Sequence, residues 1–409
     1  MSEDFNRDLF AKVLVLTNTL IVVVPARISE WIAKGEISPG YFNPDGRFKK
    51  VLVVSLLPDQ PSEEVVSFLC QAEESSFVSL DLLTVSGLVY SAGFSPFLVG
   101  KLIQKSLVPL LQTEESFVVR SYGDSFAGMF AALLGKALRC RSVASVHTTF
   151  THIPVGEKIS AKGKLLRFLE KRSRAFTHEN IDALAPVYSP IMASIPERYH
   201  HKSYVIPNAV GVVQTHKKLD YDRIDIFKIV TVGRLVPGKS VMPVLEALRE
   251  LECWELTIIG DGPCRYEIAD WIARYDKAGK VRLVPSMKND DLVASLSTFD
   301  VFAAYTAYAE VPKTVIEAGL VGLPIILNKS SSAIAQEYDG APIIWVSGDA
   351  SSYRSAFKGL GWDFVDLKEL GITTRNRFEA VFNPVSSGKL MADLISQTPN
   401  NGLRPWNKD

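Results

Sequence analysis

Short runs of continuous apolar residues, each followed by a segment of helical period, occur in two successive series along this 409-residue chain. No other feature constrains the fold as strongly. A strand that is apolar on both faces has to be covered on both faces, and a parallel sheet with helices packed on either side does this. In the first series, residues 12–16 (KVLVL), 50–56 (KVLVVSL), 117–120 (FVVR) and 142–147 (SVASVH) read as strands. Weaker strand signals lie at 80–85, 183–187 and 203–206. Residues 26–34, 97–111, the stretch from SYGDSFAG to Leu138, and 164–176 read as helices. The Asn-Pro and Asp-Gly pairs make 41–47 (YFNPDGR) a turn. A polar stretch, 214–225, then separates the halves.

The second series places strands at 227–232, 255–259, 281–284, 301–304, 324–327 and 342–346, with helices at 242–251, 264–275 and 290–296. The pattern predicts an α/β chain of two doubly wound, Rossmann-like domains facing a cleft. The first covers 1–208 and the second 209–376. Residues 377–409 hold a terminal helix pair, 377–381 and 388–397, expected to return to the first domain.

Composition excludes several classes. Forty-five basic residues balance forty-five acidic ones, so no global charge points to nucleic acid. With 47% apolar residues a large core is expected and disorder is not. Cys70, Cys140, Cys253 and Cys264 show no metal spacing and suggest buried thiols in a reducing compartment. Residues 1–8 are polar and acidic, unlike a leader peptide. The apolar run 13–24 is interrupted by Thr17, Asn18 and Thr19 and is too short to span a bilayer. A soluble chain, at most membrane-associated, is expected.

Two stretches carry chemistry. In 305–324 (YTAYAEVPKTVIEAGLVGLP), Pro312 suits the first position of a helix, where a missing N–H costs nothing. The amides of Lys313, Thr314 and Val315 would open the positive end of that helix toward an anion. Glu310 stands at its mouth and Glu317 deeper inside. Donors for phosphate beside acceptors for hydroxyls suit a nucleotide sugar. The second stretch, Gly233-Arg-Leu-Val-Pro-Gly-Lys239-Ser240, follows a strand and precedes a helix. It satisfies the phosphate-cradling pattern of a P-loop NTPase, and 256–261 (LTIIGD) supplies a hydrophobic strand ending in a carboxylate. Asp220-Tyr-Asp222 imitates a metal-binding Asp pair, but no strand leads into it to fix both carboxylates.

A wider set of motifs resembles the family 4 glycosyltransferases of the GT-B fold. The family's G-R-L-x-x-x-K appears as Gly233, Arg234, Leu235 and Lys239, and its G-x-G-P as Gly260-Asp-Gly-Pro263. A strand and polar turn follow at 281–287. The two-glutamate element appears as AEVPKTVIEAGLVGLP. The junction VIPNAV (205–210) resembles the family's V-I-P-N-G-V, and YFNPDGRF resembles a segment of bacterial members. The resemblance is strong over about 200–330 and weak before that.

It implies a retaining transferase that moves a sugar from a nucleotide diphosphate sugar to a hydroxyl acceptor, without a protein-bound metal or permanent cofactor. Gly233, Arg234, Lys239, Gly260 and Thr314 would hold the donor, Arg234 and Lys239 neutralising its diphosphate. Glu317 would hold the ribose. Glu310 and His147 would act at the sugar, as catalytic residues. The acceptor implied is a glycan or lipid-linked sugar, as in surface polysaccharide synthesis, and the setting cytoplasmic, at the inner face of a membrane. Lys158, Lys162, Lys164, Arg167, Lys171, Arg172 and Arg174, interleaved with Leu165, Leu166, Phe168 and Leu169, form a basic amphipathic segment suited to anionic lipid.

The chain departs from the family in two places. The first glutamate falls at Ala309, with Glu310 one position late and the adjacent glycine missing. The loop read after the first strand, 17–20 (TNTL), lacks glycine. At this stage a catalytically silent GT-B subunit and a P-loop NTPase stand as alternatives.

Overall fold

The computed structural model describes residues 19–33, 38–111, 116–147, 160–208, 216–222, 226–276, 278–329, 334–361, 366–398, 400 and 402–407. Two six-stranded parallel sheets form its frame. The first contains β1 (Thr19–Val24), β2 (Lys50–Ser55), β3 (Glu74–Ser79), β4 (Phe117–Tyr122), β5 (Arg141–Val146) and β6 (Ala183–Pro186), in the order β3-β2-β1-β4-β5-β6. The second contains β7 (Phe227–Val232), β8 (Trp254–Ile259), β9 (Val281–Val284), β10 (Val301–Ala304), β11 (Ile325–Asn328) and β12 (Ile344–Val346), in the order β12-β11-β10-β7-β8-β9. Renumbered within its own domain, the second order is the first reversed, so both domains are doubly wound in the same way. The strand order changes direction between β1 and β4, and again between β7 and β10. Ligands of open α/β sheets bind outside the carboxyl ends of the strands at such a switch.

The expected strand at 12–16 lies outside the described residues. The first described strand is TLIVVV, so Thr19 and Leu20 belong to a strand rather than to the loop read at 17–20. All six of its residues are buried. The segment that follows it, Pro25-Ala26-Arg27, is also free of glycine. A strand was expected at 80–85, but the sheet edge is β3, ESSFVS, and Val85–Tyr90 is helical. An edge strand is covered on fewer sides and tolerates the Glu and Ser residues that hid it. Residues 203–206 contribute a single bridge, Leu184 to Ser203, rather than a strand. Of the four thiols only Cys70 is buried; Cys253 is exposed.

Five helices matter for the cleft: α1 (Phe126–Leu138), α2 (Ala161–Asn180), α3 (Lys313–Val321), α4 (Leu367–Val381) and α5 (Pro384–Ser396). Alternate residues of β1 serve the two faces of its sheet. Ile21 and Val23 meet Phe130 and Ala131 of α1. Leu20, Val22 and Val24 join Met391, Leu394 and Ile395 of α5. The return to the first domain was read from about 377, but α4 stays on the second domain, where Phe378 packs on Gly319 of α3. The chain crosses at Phe382–Asn383, and α5 alone covers the first sheet. Arg141 donates to the Leu394 carbonyl (2.9 Å) and Arg47 pairs with Asp393 (3.1 Å).

The described part of the linker lies on the second domain. The Lys218 amide donates to Val321 (2.8 Å) and the Tyr221 hydroxyl to Gly322 (2.8 Å). Between Lys218 and Tyr221, the Asp220 carboxylate accepts from the Asp222 amide (2.8 Å), a local turn. A second tie joins the domains directly. The amide and hydroxyl of Ser189 both donate to the buried carboxylate of Glu337, each at 2.7 Å.

Candidate active site

The carboxyl ends of the two sheets face one cleft with two connected chambers. The wider, about 1310 Å³, runs from Arg120, Tyr122, His147 and Arg174 in the first domain to Lys313 and Glu317 in the second. The inner one, about 450 Å³, is lined by Gly233, Arg234, Lys239, Ala309, Glu310 and Thr314. His147, Asn208, Lys313 and Thr314 line both chambers.

The helix predicted after Pro312 is α3. Pro312 is its N-cap (φ −63°, ψ 134°), one place earlier than read, and the helix starts at Lys313. The Pro312 carbonyl accepts from Val315 (3.0 Å) and Ile316 (3.2 Å). Val315 is therefore occupied. The amides of Lys313 and Thr314, which have no partner inside a helix, remain as the first-turn donors. The Thr314 hydroxyl donates to Val232 at the end of β7 (3.2 Å), tying the helix to the neighbouring strand.

Glu317 projects from the second turn and is 1% exposed. Its Oε1 is buried without a hydrogen-bond partner among the described residues. The Lys313 ammonium lies 3.4 Å away, near enough to attract but not aligned to donate, and it donates instead to Asn289 (3.0 Å). Burial pushes the Glu317 pKa up, with Lys313 and Asn289 opposing. A buried carboxylate oxygen that faces a cleft and lacks a donor is costly unless a ligand supplies one.

Glu310 also reaches the cleft. Its Oε1 lies 2.6 Å from the Lys239 ammonium and accepts from the Thr306 hydroxyl (3.0 Å). Both side chains are 18% exposed. The loop 305–312 holds this position through Asn328, whose amide group bonds the Thr306 backbone on both sides, accepting from its N–H (2.7 Å) and donating to its carbonyl (2.9 Å). The Ala307 amide donates to the Gly238 carbonyl (2.8 Å). A Cβ on Gly238 would stand 2.2 Å from Tyr308, so this glycine lets the two loops close on each other.

In the same loop, several of the amides that a P-loop would turn toward phosphate are already taken. Such a loop cradles phosphate with its backbone amides. Here Leu235 donates to Asp261 (2.9 Å), Val236 to Arg234 (3.0 Å) and Lys239 to Val236 (2.8 Å), and Pro237 has no N–H. The Ser240 hydroxyl accepts from Met242 (3.2 Å) as a local cap. Asp261 anchors the facing turn by accepting from the Ser286 amide (3.1 Å). Arg234 is exposed at the mouth of the inner chamber.

Gly260 lines neither chamber. At φ +152° its Cα faces the Gly233 carbonyl, and a Cβ there would sit 2.0 Å from that oxygen. Its place is behind Gly233–Leu235, where it lets the loop approach.

His147 is the first residue after β5. Its ring is half-buried and stacked on Tyr122 (centroids 5.4 Å apart, planes at 11°), and its Nε2 is buried without a partner among the described residues. Burial first, then the Arg120 guanidinium, hold its pKa down to about 4 against a raising pull from Asp124. The imidazole is therefore neutral near pH 7.

The sequence reading missed Arg120, Tyr122 and Asp124. Arg120 left a signal, because a charge inside the apolar run FVVRSY needs a reason. Arg174 was assigned to a lipid-facing surface, but it turns into the cleft and pairs with Asp124 (3.1 Å). The C-terminal half of α2 packs on α1 and buries Ser173, Thr177 and His178.

Residues 224–343 match the family described as glycosyl transferases group 1. No curated protein matches the sequence. Among solved structures, the chain is similar to a glycosyltransferase from Rickettsia africae (15% identity, 94% of this chain and 99% of that one, TM-score 0.66). It is similar to sucrose-phosphate synthase from Thermosynechococcus elongatus (14%, 93% and 98%, TM-score 0.65). It is also similar to Anabaena HepE, solved with UDP and glucose (13%, 92% and 99%, TM-score 0.63). At these identities the likeness shows the fold, the two-domain architecture of GT-B glycosyltransferases.

Proposed function

We propose, from the premise that a glycosyl transferases group 1 domain spans 224–343 of a GT-B chain, that this protein moves a sugar from a nucleotide diphosphate sugar to a hydroxyl acceptor. One observation carries the reading. The orphaned, buried Oε1 of Glu317 and the first-turn amides of α3 lie on one helix and open on one cleft. The carboxylate accepts ribose hydroxyls while the amides, Arg234 and Lys239 receive the diphosphate. Gly233 leaves room for the phosphates, and Gly260 supports it from behind. Neutral His147 offers its unpartnered Nε2 to the donor sugar.

Glu310 accepts from a sugar hydroxyl once Lys239 turns toward phosphate. The sugar's C1–O bond to the diphosphate breaks and a C1–O bond to the acceptor forms. The acceptor proton passes to the departing diphosphate on the same face, so the anomeric configuration is retained, as in family 4. The cationic side chains and helix end do the work of a metal. We place the acceptor among glycans or lipid-linked sugars and the protein in the cytoplasm, at the inner face of a membrane. Exposed Leu165 and Phe168 on α2 lie close in sequence to exposed Lys162 and Lys164, and Val89, Tyr90 and Phe97 are exposed as well.

The test is nucleoside diphosphate release from UDP-, GDP- and ADP-sugars, with ATP alongside, for wild type and Lys239→Ala. Release from one sugar donor without added Mg²⁺, lost in the variant, is expected. Hydrolysis of ATP alone would overturn the reading. Donor binding with no turnover toward any acceptor would favour a silent GT-B subunit.

A further inference from the structure

Arg120 lies within β4, two residues before its end, is 7% exposed and lines the wide chamber. Its Nε donates to the Ser145 hydroxyl (3.0 Å), and its guanidinium carbon lies 4.5 Å from the centroid of the Tyr122 ring. Among the described residues no carboxylate pairs with it. The acidic groups lining that chamber are engaged elsewhere. Asp124 bonds Arg174 through one oxygen (3.1 Å) and His178 through the other (2.8 Å). Asp45 pairs with Arg47 (3.1 Å), and Glu317 stands on α3 across the cleft, 3.4 Å from the Lys313 ammonium. The first-domain wall of the chamber therefore holds a buried cation in excess, beside a neutral imidazole.

Burying an unpaired guanidinium is unfavourable unless an anion completes it. A guanidinium fork also matches the geometry of phosphate and carboxylate better than that of a neutral hydroxyl. Arg120 stands near the carboxyl end of β4, at the switch point of the first sheet, across the cleft from α3.

We propose that the wide chamber takes an acceptor bearing an oxyanion, a phosphate or a carboxylate, and that Arg120 binds that group. The inference rests on the reading of the cleft as a glycosyltransferase site. It assigns the acceptor's chemical class and separates the anion site of the acceptor from that of the donor at Lys239 and α3.

The test uses the full chain and titration calorimetry with glucose 6-phosphate, glucuronate, glucose and UDP. Wild type is expected to bind at least one charged sugar at least tenfold more tightly than glucose. The tighter of the two identifies phosphate or carboxylate. Arg120→Met is expected to lose at least tenfold for that sugar and to keep UDP binding within twofold. Lys239→Ala is expected to do the reverse. Arg120→Lys, which keeps the charge without the fork, should fall between wild type and Arg120→Met, and guards against a folding defect in the methionine variant. Equal affinity for glucose and the charged sugars, no sugar binding by wild type, or undiminished charged-sugar binding by Arg120→Met would each overturn the proposal. Loss of UDP binding by wild type, with charged-sugar binding still dependent on Arg120, would overturn the donor reading and leave the acceptor site standing.

Discussion

Glu317 offers the sharpest test of the donor site, because its free-state cost and its bound-state gain come from the same oxygen. In the free protein Oε1 is buried and lacks a donor, and burial raises its pKa against the pull of Lys313 and Asn289. A hydrogen bond to a charged group contributes about 1.5–3 kcal/mol. Replacing the carboxylate by an amide should therefore weaken UDP binding about 10- to 150-fold, at about 1.4 kcal/mol per tenfold. The assay is calorimetric titration of wild type and Glu317→Gln with UDP and with 2′,3′-dideoxy-UDP. If the carboxylate holds the ribose, wild type should lose a similar factor on removal of the hydroxyls, and the variant should lose little more. The stability of the free protein moves the other way. A carboxyl whose folded pKa is raised binds its proton more tightly in the folded state than in the unfolded one. Its contribution to stability therefore falls as pH rises from about 4.5, the unfolded value, through the raised folded value. Glu317→Gln should remove that part of the slope and be no less stable at pH 7. Discrimination between UDP and its dideoxy analogue that is as strong in the variant as in wild type would refute the ribose role.

Three further outcomes follow. His147, with its pKa held to about 4, should stay neutral through the working range, so kcat/KM should show no inflection near 6.5 from this group; because its folded pKa lies below 6.5, wild type should lose stability as pH falls from 6.5 to 4, and His147→Asn should flatten that slope in pH-dependent thermal unfolding. Gly260→Ala would force a Cβ to within 2.0 Å of the Gly233 oxygen at φ +152°; a cost of about 2 kcal/mol, lowering the second domain's thermal transition by about 4–8 °C, is expected in calorimetry, with donor binding weakened as the 233–239 loop moves. Vesicles carrying phosphatidylglycerol should retain the protein in flotation where phosphatidylcholine vesicles do not; at about 1 kcal/mol per lysine, Lys162→Ala with Lys164→Ala should cost about 30-fold, and equal flotation of the double variant would remove α2 from the membrane proposal.

The frame was legible because buried parallel strands are written as apolar runs. FKIVTV, WELTII and VFAA are strands for the same reason that they can be read as strands. The reading failed where that rule weakens. β3 sits at a sheet edge and carries Glu and Ser. The point of return to the first domain could not be read from α4, because an apolar stripe does not say which domain it covers; Gly319 leaves the space that Phe378 fills. The phosphate motif at 233–240 was ambiguous for a similar reason, since a pattern of residue types does not say where backbone amides point. The amides of Leu235, Val236 and Lys239 go to the carbonyls of Asp261, Arg234 and Val236, which no pattern of residue types states. Arg120 was a charge in a strand, visible in the sequence but without a role until Ser145, Tyr122 and His147 stood around it.

The shifted glutamate completes the argument. Ala309 occupies the position where the family carries its first glutamate, and a helix-like register would turn Glu310 away by about 100°. The segment before α3 is not helical, so that penalty does not apply. The Asn328 clasp on Thr306, the Thr306 hydroxyl and the Ala307–Gly238 hydrogen bond set the loop so that residue 310 faces Lys239. Tyr308 fills the space that Gly238 leaves. A one-residue displacement is thereby absorbed between two anchors. The carboxylate is held by the Lys239 ammonium, which on the proposed reading also attracts the donor's diphosphate. On the proposed reading, a donor that draws Lys239 onto its phosphates opens Glu310, still held by the Thr306 hydroxyl, to the sugar hydroxyl that the same ligand brings. Lys239 and Glu310 should therefore couple in donor binding. In a double-mutant cycle on a nucleotide sugar their effects should be non-additive, whereas on the nucleoside diphosphate alone Glu310→Gln should cost nothing, because it frees Lys239 for phosphate.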